Sequence, residues 1–263
     1  TLPACADPEP PLADRATAQP LPMPATAPTT APATQSNLHP ALAGYDALLR
    51  AHVDPHGYVD YAALAKNPTP LDAYIAYLAN HTKTFGDPSL SDDHKLATLI
   101  NAYNAFTLRL ILDHYNGGQL QSIMDIAAGK PWDLRRWNLL GQTITLNQLE
   151  HEIIRKQFNE PRIHWAVNCA ALSCPPLRNS AYLADQLDQQ LAEQEAYVFN
   201  FTHPRFAQRS GNGAAVTKLL DWYATDWPDA QAHARTRLGL PATAPITFLD
   251  YDWRLNSIQN RPH

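Results

Sequence analysis

The stretch SDDHKLATLINAYNAFTLRLILDH, residues 91–114, decides the fold class of this 263-residue chain. Its apolar residues recur at steps of three and four, which is the spacing of one face of an α-helix. Ser91 and the two aspartates after it supply an N-terminal cap, and Gly117 and Gly118 supply a C-terminal stop. The sequence therefore predicts a long helix here, the strongest in the protein.

Shorter elements flank this helix on both sides. Helical spacing of apolar residues recurs near Leu48 and over 72–78, 145–156, 184–199 and 215–225. The segment 137–145 predicts a hairpin with Gly141-Gln142 at its turn, and 245–253 alternates like a half-buried strand. Because helices predominate over a few short strands, the expected fold class is α+β, a mainly helical single domain with a small antiparallel sheet.

The N-terminal residues differ in composition from the rest of the chain. Proline, alanine, threonine and glutamine predominate there, and such a sequence buries too little apolar surface to fold. We therefore predict a disordered tether over 1–37 and a single globular domain over 38–263. A first residue Thr1 and a tether ahead of the domain favour an exported protein that is periplasmic, secreted or anchored to the envelope. Cys5 is compatible with lipidation or with an incidental cysteine in the tether.

Charge and hydropathy disfavour two classes of protein. Twenty basic and 25 acidic residues give a formal net charge of -5 without a basic run, so no nucleic-acid partner is expected. No apolar stretch reaches the ~18 residues that a membrane-spanning helix needs. The three cysteines allow at most one internal disulfide and leave one thiol for another role.

The segment HWAVNCAALSCPP, residues 164–176, concentrates the residues that carry chemistry. If a buried strand over 163–167 leads into a helical turn at Ala170, Cys169 lies at a strand-to-helix junction. Unpaired N–H groups at such a junction stabilise a thiolate and lower the pKa of the thiol. Cys169 is therefore the candidate nucleophile.

A thiol nucleophile also needs a base and a group that orients the base. His164 or His151 would be the base, and Glu150 would hold its imidazole in the productive tautomer, as in Cys–His–carboxylate hydrolases. Other polar residues are expected to support the site: Asn101, Asn104, Asn168, Ser173 and Cys174. The predicted function is a cysteine-dependent hydrolase or acyltransferase that acts outside the cytoplasm on a peptide, amide or thiol-containing substrate.

Other interpretations of the same residues stay open. Cys169 is also compatible with inert packing in a non-catalytic binding or scaffold module. The spacing of Cys169 and Cys174 allows a disulfide or thiol exchange between them. A zinc site built from these cysteines with His151 and His164 is disfavoured, because the chain lacks a C-x-x-C pair and Arg155 replaces the second histidine of H-E-x-x-H. No metal or cofactor is therefore expected.

Several blocks of the sequence resemble the domain of unknown function 547 family. They follow the family's order: NAYNA at 101–105, TLNQLEH at 145–151, the segment 164–176, KLLDWY at 218–223 and YDWRLN at 251–256. Members of the family resemble exported bacterial proteins, with related domains in plants. The positions of Cys169 and His164 recur in the family, whereas that of Cys174 is often serine in plants, which implies that Cys169 is the active thiol. The Glu–His–Cys order, with Glu150 first, implies a papain-like or transglutaminase-like thiol hydrolase.

Overall fold

The computed structural model describes residues 38–80 and 89–262, so the predicted tether and Cys5 lie outside the described residues. The α-helices are α1 (Pro40–His52), α2 (Tyr61–Leu64), α3 (Thr69–Asn80), α4 (Asp92–His114), α5 (Arg155–Gln157), α6 (Leu187–Val198), α7 (Leu219–Trp222) and α8 (Ala230–Arg237). A π-helix (Gln148–Ile154) leads into α5, and short 3-10 helices occupy Asn116–Gly118, Ile123–Gly129, Pro131–Asp133, Pro161–Trp165, Ala184–Gln186, Ala224–Asp226 and Ile258–Asn260.

The strands of the described residues form two small sheets. β1 (Trp137–Leu139) and β2 (Gln142–Ile144) are an antiparallel hairpin, whose register places Leu140 and Gly141 at the turn, one residue earlier than predicted. In the second sheet β3 (Ala207–Ser210) pairs antiparallel with β4 (Gly213–Val216), and β5 (Ile246–Phe248) pairs with β4 in parallel. The predicted α+β class is confirmed, and the parallel pair is an addition to the small antiparallel sheet.

Helix α4 forms where the sequence predicted it. The hydroxyl of Ser91 accepts a hydrogen bond from the backbone N–H of His94 at 3.2 Å, which caps the first turn. Most of the helix from Leu96 to Ile111 is buried, including the polar side chains of Asn101 and Asn104. None of the helices in the described ranges combines the length and the hydropathy that crossing a membrane would require.

The buried apolar side chains form two cores, and the cysteine segment, which we define as residues 163–176, lies between them. Ile163, Val167 and Cys169 pack into the larger core around α4. Trp165 packs instead into the second core, with residues of α6, α7, α8 and the three-stranded sheet. Tyr251 contacts both cores. The segment is therefore buried from two sides.

Two local predictions about this region were wrong. The run predicted as a strand over 163–167 is mostly the 3-10 helix Pro161–Trp165. Proline at its first position suits a helical turn, and the side chain of Glu160 accepts a hydrogen bond from the backbone N–H of Arg162. Ala170 has a φ of 62°, in the left-handed region, so no helical turn begins there. Cys169 therefore lies in an irregular loop.

A third prediction was wrong in part. The stretch 215–225 was expected to be one helix, but its first residues complete β4 and only Leu219–Trp222 is α-helical. Pairing with both neighbouring strands outweighs the local helical pattern, as tertiary contacts often do. The helix predicted over 145–156 exists, although its first turns have the wider π-helical geometry.

Gly57 provides a direct test of how closely the chain packs on the cysteine segment. A Cβ at this position would lie 2.5 Å from Cα of Pro176, and the φ of 78° already disfavours a side chain. Gly57→Ala should therefore lower the free energy of unfolding by about 2–4 kcal/mol, measured by urea denaturation.

Gly117→Ala is the matched control, because its φ of 65° is similar but, apart from the adjoining chain, no atom of the described residues lies within 4 Å of the added Cβ. It should cost only the backbone term of about 1–2 kcal/mol. Equal losses in the two variants would show that the close approach to Pro176 contributes nothing.

Candidate active site around Cys169

Side-chain amides supply the hydrogen bonds that regular secondary structure would otherwise give to the cysteine segment. Asn104 on α4 donates to the carbonyl of Ala166 at 3.0 Å and accepts from the N–H of Asn168 at 2.8 Å. Asn168 in turn donates to the carbonyl of Pro175 at 2.7 Å and accepts from the N–H of Ala170 at 2.9 Å. The two amides thus close the loop that contains Cys169.

Further amides fix the ends of this loop. Gln194 on α6 donates to the carbonyls of Trp165 at 3.0 Å and Pro176 at 2.8 Å. Asn101 donates to the carbonyl of Tyr182 and accepts from its N–H, at 2.8 and 2.9 Å. The structure therefore places Asn101, Asn104 and Asn168 in support of the chain rather than against the sulfur.

The sulfur of Cys169 lies under a tyrosine hydroxyl. Its side chain is only 4% exposed, and Sγ lies 3.1 Å from the hydroxyl of Tyr251. Burial opposes ionisation of Cys169, but hydrogen bonds with Cys174, with Tyr251 and with the backbone of Ala171 outweigh it and lower the pKa of the thiol below its ordinary value. The negative charge of Glu150 counteracts part of this effect.

Cys169 and Cys174, both within the described residues, are not joined by a disulfide. The sulfur of Cys174 instead accepts a hydrogen bond from the backbone N–H of Cys169 at 3.0 Å. Ser173 lies between them in the loop, and its hydroxyl accepts from the N–H of Asp252 at 2.8 Å. This contact ties the loop to the chain beside Tyr251.

His164 is held in one tautomer. Its Nε2 lies 2.7 Å from a carboxylate oxygen of Asp226, and since a carboxylate accepts, Nε2 carries the proton. Its ring stacks on Tyr223 with centroids 3.8 Å apart. Nδ1 is buried and has no hydrogen-bond partner among the described residues. The unprotonated nitrogen of this histidine is therefore available as a base.

Burial lowers the pKa of His164, against the opposing influence of Asp226 and Glu150, which favour the protonated form. Asp226 was not singled out from the sequence, yet it is the carboxylate that orients the imidazole. Arg155 holds Asp226 with two hydrogen bonds of 3.0 and 2.9 Å. Despite partial burial, the hydrogen bonds and charges of His164 and Arg155 keep the pKa of Asp226 well below its usual range.

His151 belongs to the same network on its outer side. Arg155 donates to Nδ1 of His151 at 3.1 Å, and because arginine cannot accept, the proton of neutral His151 lies on Nε2. His151 also lines a cavity of about 430 Å³ together with Arg155 and Asp226. The network of His164 thus extends to the surface at this cavity.

Glu150 is buried behind His164. One oxygen accepts a hydrogen bond of 2.8 Å from the hydroxyl of Tyr223, the residue that stacks on His164. Burial opposes its ionisation, but the nearby His151 and His164 and the hydroxyls of Tyr223 and Tyr103 lower the pKa of Glu150. Glu150 therefore acts on His164 through its charge, whereas Asp226 provides the hydrogen bond.

Glu150, His164 and Cys169 are all buried, and the charge of Glu150 acts on both His164 and Cys169. Within the described ranges the hydrogen-bond partners of the Cys169 sulfur include neither His164 nor His151. Tyr251, which covers the sulfur, is itself partly exposed beside Trp222 and Trp253. The thiol is therefore one side chain away from the surface.

Tyr251 and Asp226 were missed as site residues by the sequence analysis. Tyr251 lies in the YDWRLN block, but a partly alternating pattern there indicated only a strand. Asp226 follows an apolar helical run, and nothing in its local sequence indicates a histidine partner far away in the chain. Over residues 38–80 and 89–262 no group of three or more histidine, cysteine or acidic residues is arranged to hold a metal ion.

Residues 88–198 match the model of a protein family described as "Protein of unknown function, DUF547". The resemblance to this family is thereby confirmed over that segment, which contains Glu150, His164 and Cys169 but neither Asp226 nor Tyr251. No curated protein and no solved structure matches the chain.

The lowered pKa of His164 predicts a pH dependence of stability. Below the ordinary histidine pKa of about 6.5 the unfolded chain binds a proton that the folded protein does not, so the free energy of unfolding should fall as the pH is lowered from 7 to 5. His164→Gln should reduce this slope by up to about 1.4 kcal/mol per pH unit, the contribution of one proton. Urea denaturation across this range measures the slope.

His94→Gln, which removes an exposed histidine at the start of α4, is the control for this measurement. The acidic residues with lowered pKa lose their contribution only at lower pH, around and below about 4. If both variants change the slope equally, the burial of His164 is not its cause.

Proposed function

We propose that this protein is a thiol-dependent hydrolase or acyltransferase with Cys169 as nucleophile and His164 as base. Its residues 88–198 match a family of unknown function. The observation that carries the proposal is the fixed tautomer of His164. Its Nε2–H is bound to Asp226 and its unprotonated Nδ1 is buried without a partner among the described residues, in the same segment as a thiol of lowered pKa. Acyl transfer through cysteine requires an oriented imidazole and a thiol that ionises readily, and this segment contains both.

The surroundings of the thiol support its role as nucleophile. The hydrogen bonds from Tyr251 and from the backbone of Ala171 favour the thiolate, which is the reactive form. A lowered pKa at full burial is unusual for a cysteine that only fills space, since burial alone raises it. The donors around Sγ therefore support a chemical role.

The two carboxylates divide their roles around the base. Asp226 orients the ring of His164 and, with Glu150, stabilises the imidazolium that forms when Nδ1 accepts a proton. Arg155 in turn keeps Asp226 ionised. In this proposal Glu150 is an electrostatic partner, and the orienting role predicted for it belongs to Asp226.

The reaction takes two steps. First, the proton of the Cys169 thiol passes to Nδ1 of His164, Sγ bonds to the acyl carbon of the substrate, and the leaving group departs with the proton from His164. Second, water gives a proton to His164 while its oxygen bonds to the acyl carbon, the carbon–sulfur bond breaks, and the proton returns to sulfur. Another acceptor in place of water makes the reaction an acyl transfer.

The first proton transfer sets a structural requirement. Because the hydrogen-bond partners of Cys169 Sγ in the described residues include Tyr251 but not His164, the proposal needs bridging water or a rotation of the thiol away from the Tyr251 hydroxyl. Peptides, amides and thiol-containing compounds are the proposed substrate class. Action outside the cytoplasm, with the tether as an envelope attachment, stays a prediction from the N-terminal sequence.

A test of the acyl chemistry uses p-nitrophenyl acetate as the probe. The protein should release p-nitrophenol and carry one acetyl group on the peptide that contains Cys169, detected by mass spectrometry. Cys169→Ser and His164→Gln should each lower turnover at least ~100-fold, the usual loss when a nucleophile or a general base is removed.

His94→Gln controls for ester hydrolysis by surface histidines, and each variant is first shown to be folded by circular dichroism. Turnover that survives in Cys169→Ser, or acetyl groups found only on other residues, would sink the proposal.

The thiol itself is tested by its rate of alkylation with iodoacetamide between about pH 4 and pH 10, followed at Cys169 by peptide mass spectrometry. In the intact protein the midpoint should lie below the ordinary cysteine value of about 8.5. Tyr251→Phe should shift the midpoint to higher pH because it removes a donor, whereas Glu150→Gln should shift it to lower pH because it removes a negative charge.

Tyr77→Phe is the matched control, since it removes a tyrosine hydroxyl from α3, where the ring contacts His39 and Tyr74. Its profile should coincide with that of the intact protein. A thiol that reacts only after unfolding would instead identify Cys169 as a packing residue.

Thiol exchange is a second candidate function, favoured by the contact between Cys174 and the thiol of Cys169. Here Cys169 attacks a substrate disulfide and releases one thiol, and Cys174 then attacks the mixed disulfide, releases the second thiol and leaves the protein oxidised. Oxidised glutathione is the probe. Cys174→Ser should stop the exchange at the mixed disulfide, whereas hydrolysis of p-nitrophenyl acetate should fall less than about tenfold.

A further inference from the structure

A second cavity, of about 530 Å³, is lined in part by the loop that follows Cys169. Leu172 and Ser173 of that loop form part of its wall, and Asp252, the neighbour of Tyr251, forms another part. The cavity is of the size that accommodates a small organic molecule. The functions proposed above make no use of it.

Arg205 is the unusual residue of this cavity. Its guanidinium lies between two aromatic rings, 4.7 Å from the centroid of Tyr58 and 4.6 Å from that of Phe206. Nη2 donates to the carbonyl of His56 at 3.0 Å, but Nε and Nη1 are buried with no acceptor among the described residues. A buried donor without an acceptor costs free energy, so an acceptor that reaches Nε and Nη1 would be stabilising. The two rings also hold the cation in place for an anion.

The charge of Arg205 is also unbalanced. Two other arginines of the cavity wall already have carboxylate partners, Arg254 with Asp252 and Arg261 with Asp54. Within the described ranges no carboxylate lies at ion-pair distance from Arg205. Burial lowers the pKa of His203 in the same wall, and the positive charges of His56 and Arg205 add to this effect.

The aromatic residues of the cavity wall would contact the apolar part of a ligand. Tyr58, Phe206 and Tyr197 line the cavity, and Tyr197 is fixed by a hydrogen bond of 2.9 Å to His56 and by stacking on His203 at 3.6 Å. Fixed rings favour a flat apolar body, while the guanidinium favours a carboxylate.

We propose that this cavity binds a small carboxylate with an aromatic or short acyl body, paired with Arg205. Because Nε and Nη1 are shielded from solvent, binding includes a small rotation of the Arg205 side chain toward the ligand. The site does not depend on the chemistry proposed for Cys169, although its position beside Leu172 and Ser173 suits either a product acid or a substrate that carries a carboxylate.

Binding of benzoate, compared with its neutral analogue benzamide, tests this site by isothermal titration calorimetry on the full chain. Benzoate should bind at least roughly tenfold more tightly than benzamide, the difference expected of one charge-assisted pair. Arg205→Gln should remove this preference, whereas Arg205→Lys should retain only part of it, because lysine keeps the positive charge but lacks the planar pair of donors that Nε and Nη1 provide.

Arg209→Gln is the matched control, because Arg209 also stacks on a ring, Phe201 at 4.2 Å, but is exposed and does not line the cavity. Its benzoate affinity should equal that of the intact protein. Cys169→Ser should also leave benzoate binding unchanged, which separates this proposal from the chemistry at the thiol. Equal binding of benzoate and benzamide to the intact protein would overturn the proposal without any variant. A preference for benzoate that survives in folded Arg205→Gln would also overturn it.

Discussion

The hydrogen bonds from buried amide side chains to the cysteine segment are the interaction on which the site depends. Asn104, Asn168 and Gln194 satisfy backbone groups that no helix or strand pairs. Without such partners an irregular segment could not be buried between two cores, because each unpaired backbone group would cost on the order of 1–3 kcal/mol. The polar residues of α4 and α6 therefore make the buried loop around Cys169 feasible.

Burial of the loop sets the electrostatics of the site. In a medium of low dielectric the charges of Glu150 and Asp226 act strongly on His164, and Arg155 compensates the second carboxylate at the edge of the protein. The network therefore has a negative charge at its buried end, on Glu150, and a positive charge at its outer end, on Arg155. An imidazole in this position keeps one tautomer, which is what a base in acyl transfer needs and what a histidine that only packs does not require.

The same burial separates the thiol from solvent. Cys169 is covered by Tyr251, which contacts both cores and belongs to the C-terminal part of the chain. Access to the sulfur thus depends on Tyr251, a partly exposed aromatic residue, and not on an open cleft. One cavity is lined by His151 and Asp226, and another is lined by Leu172 and Ser173 of the cysteine segment.

The sequence by itself determined what depends on local spacing: helix α4 with its cap, the α+β class, the hairpin, and the concentration of Cys169 and His164 in one segment. Tertiary structure alone decided the conformation of that segment, because the apolar run that resembles a strand is buried by two cores instead of by strand neighbours. It also decided that Asp226 and Tyr251 join the site, since hydrogen bonds between residues separated by 62 and 82 positions leave no mark in local periodicity. Periodicity reports which face of an element is buried, whereas only the folded chain decides which distant polar atoms must satisfy one another.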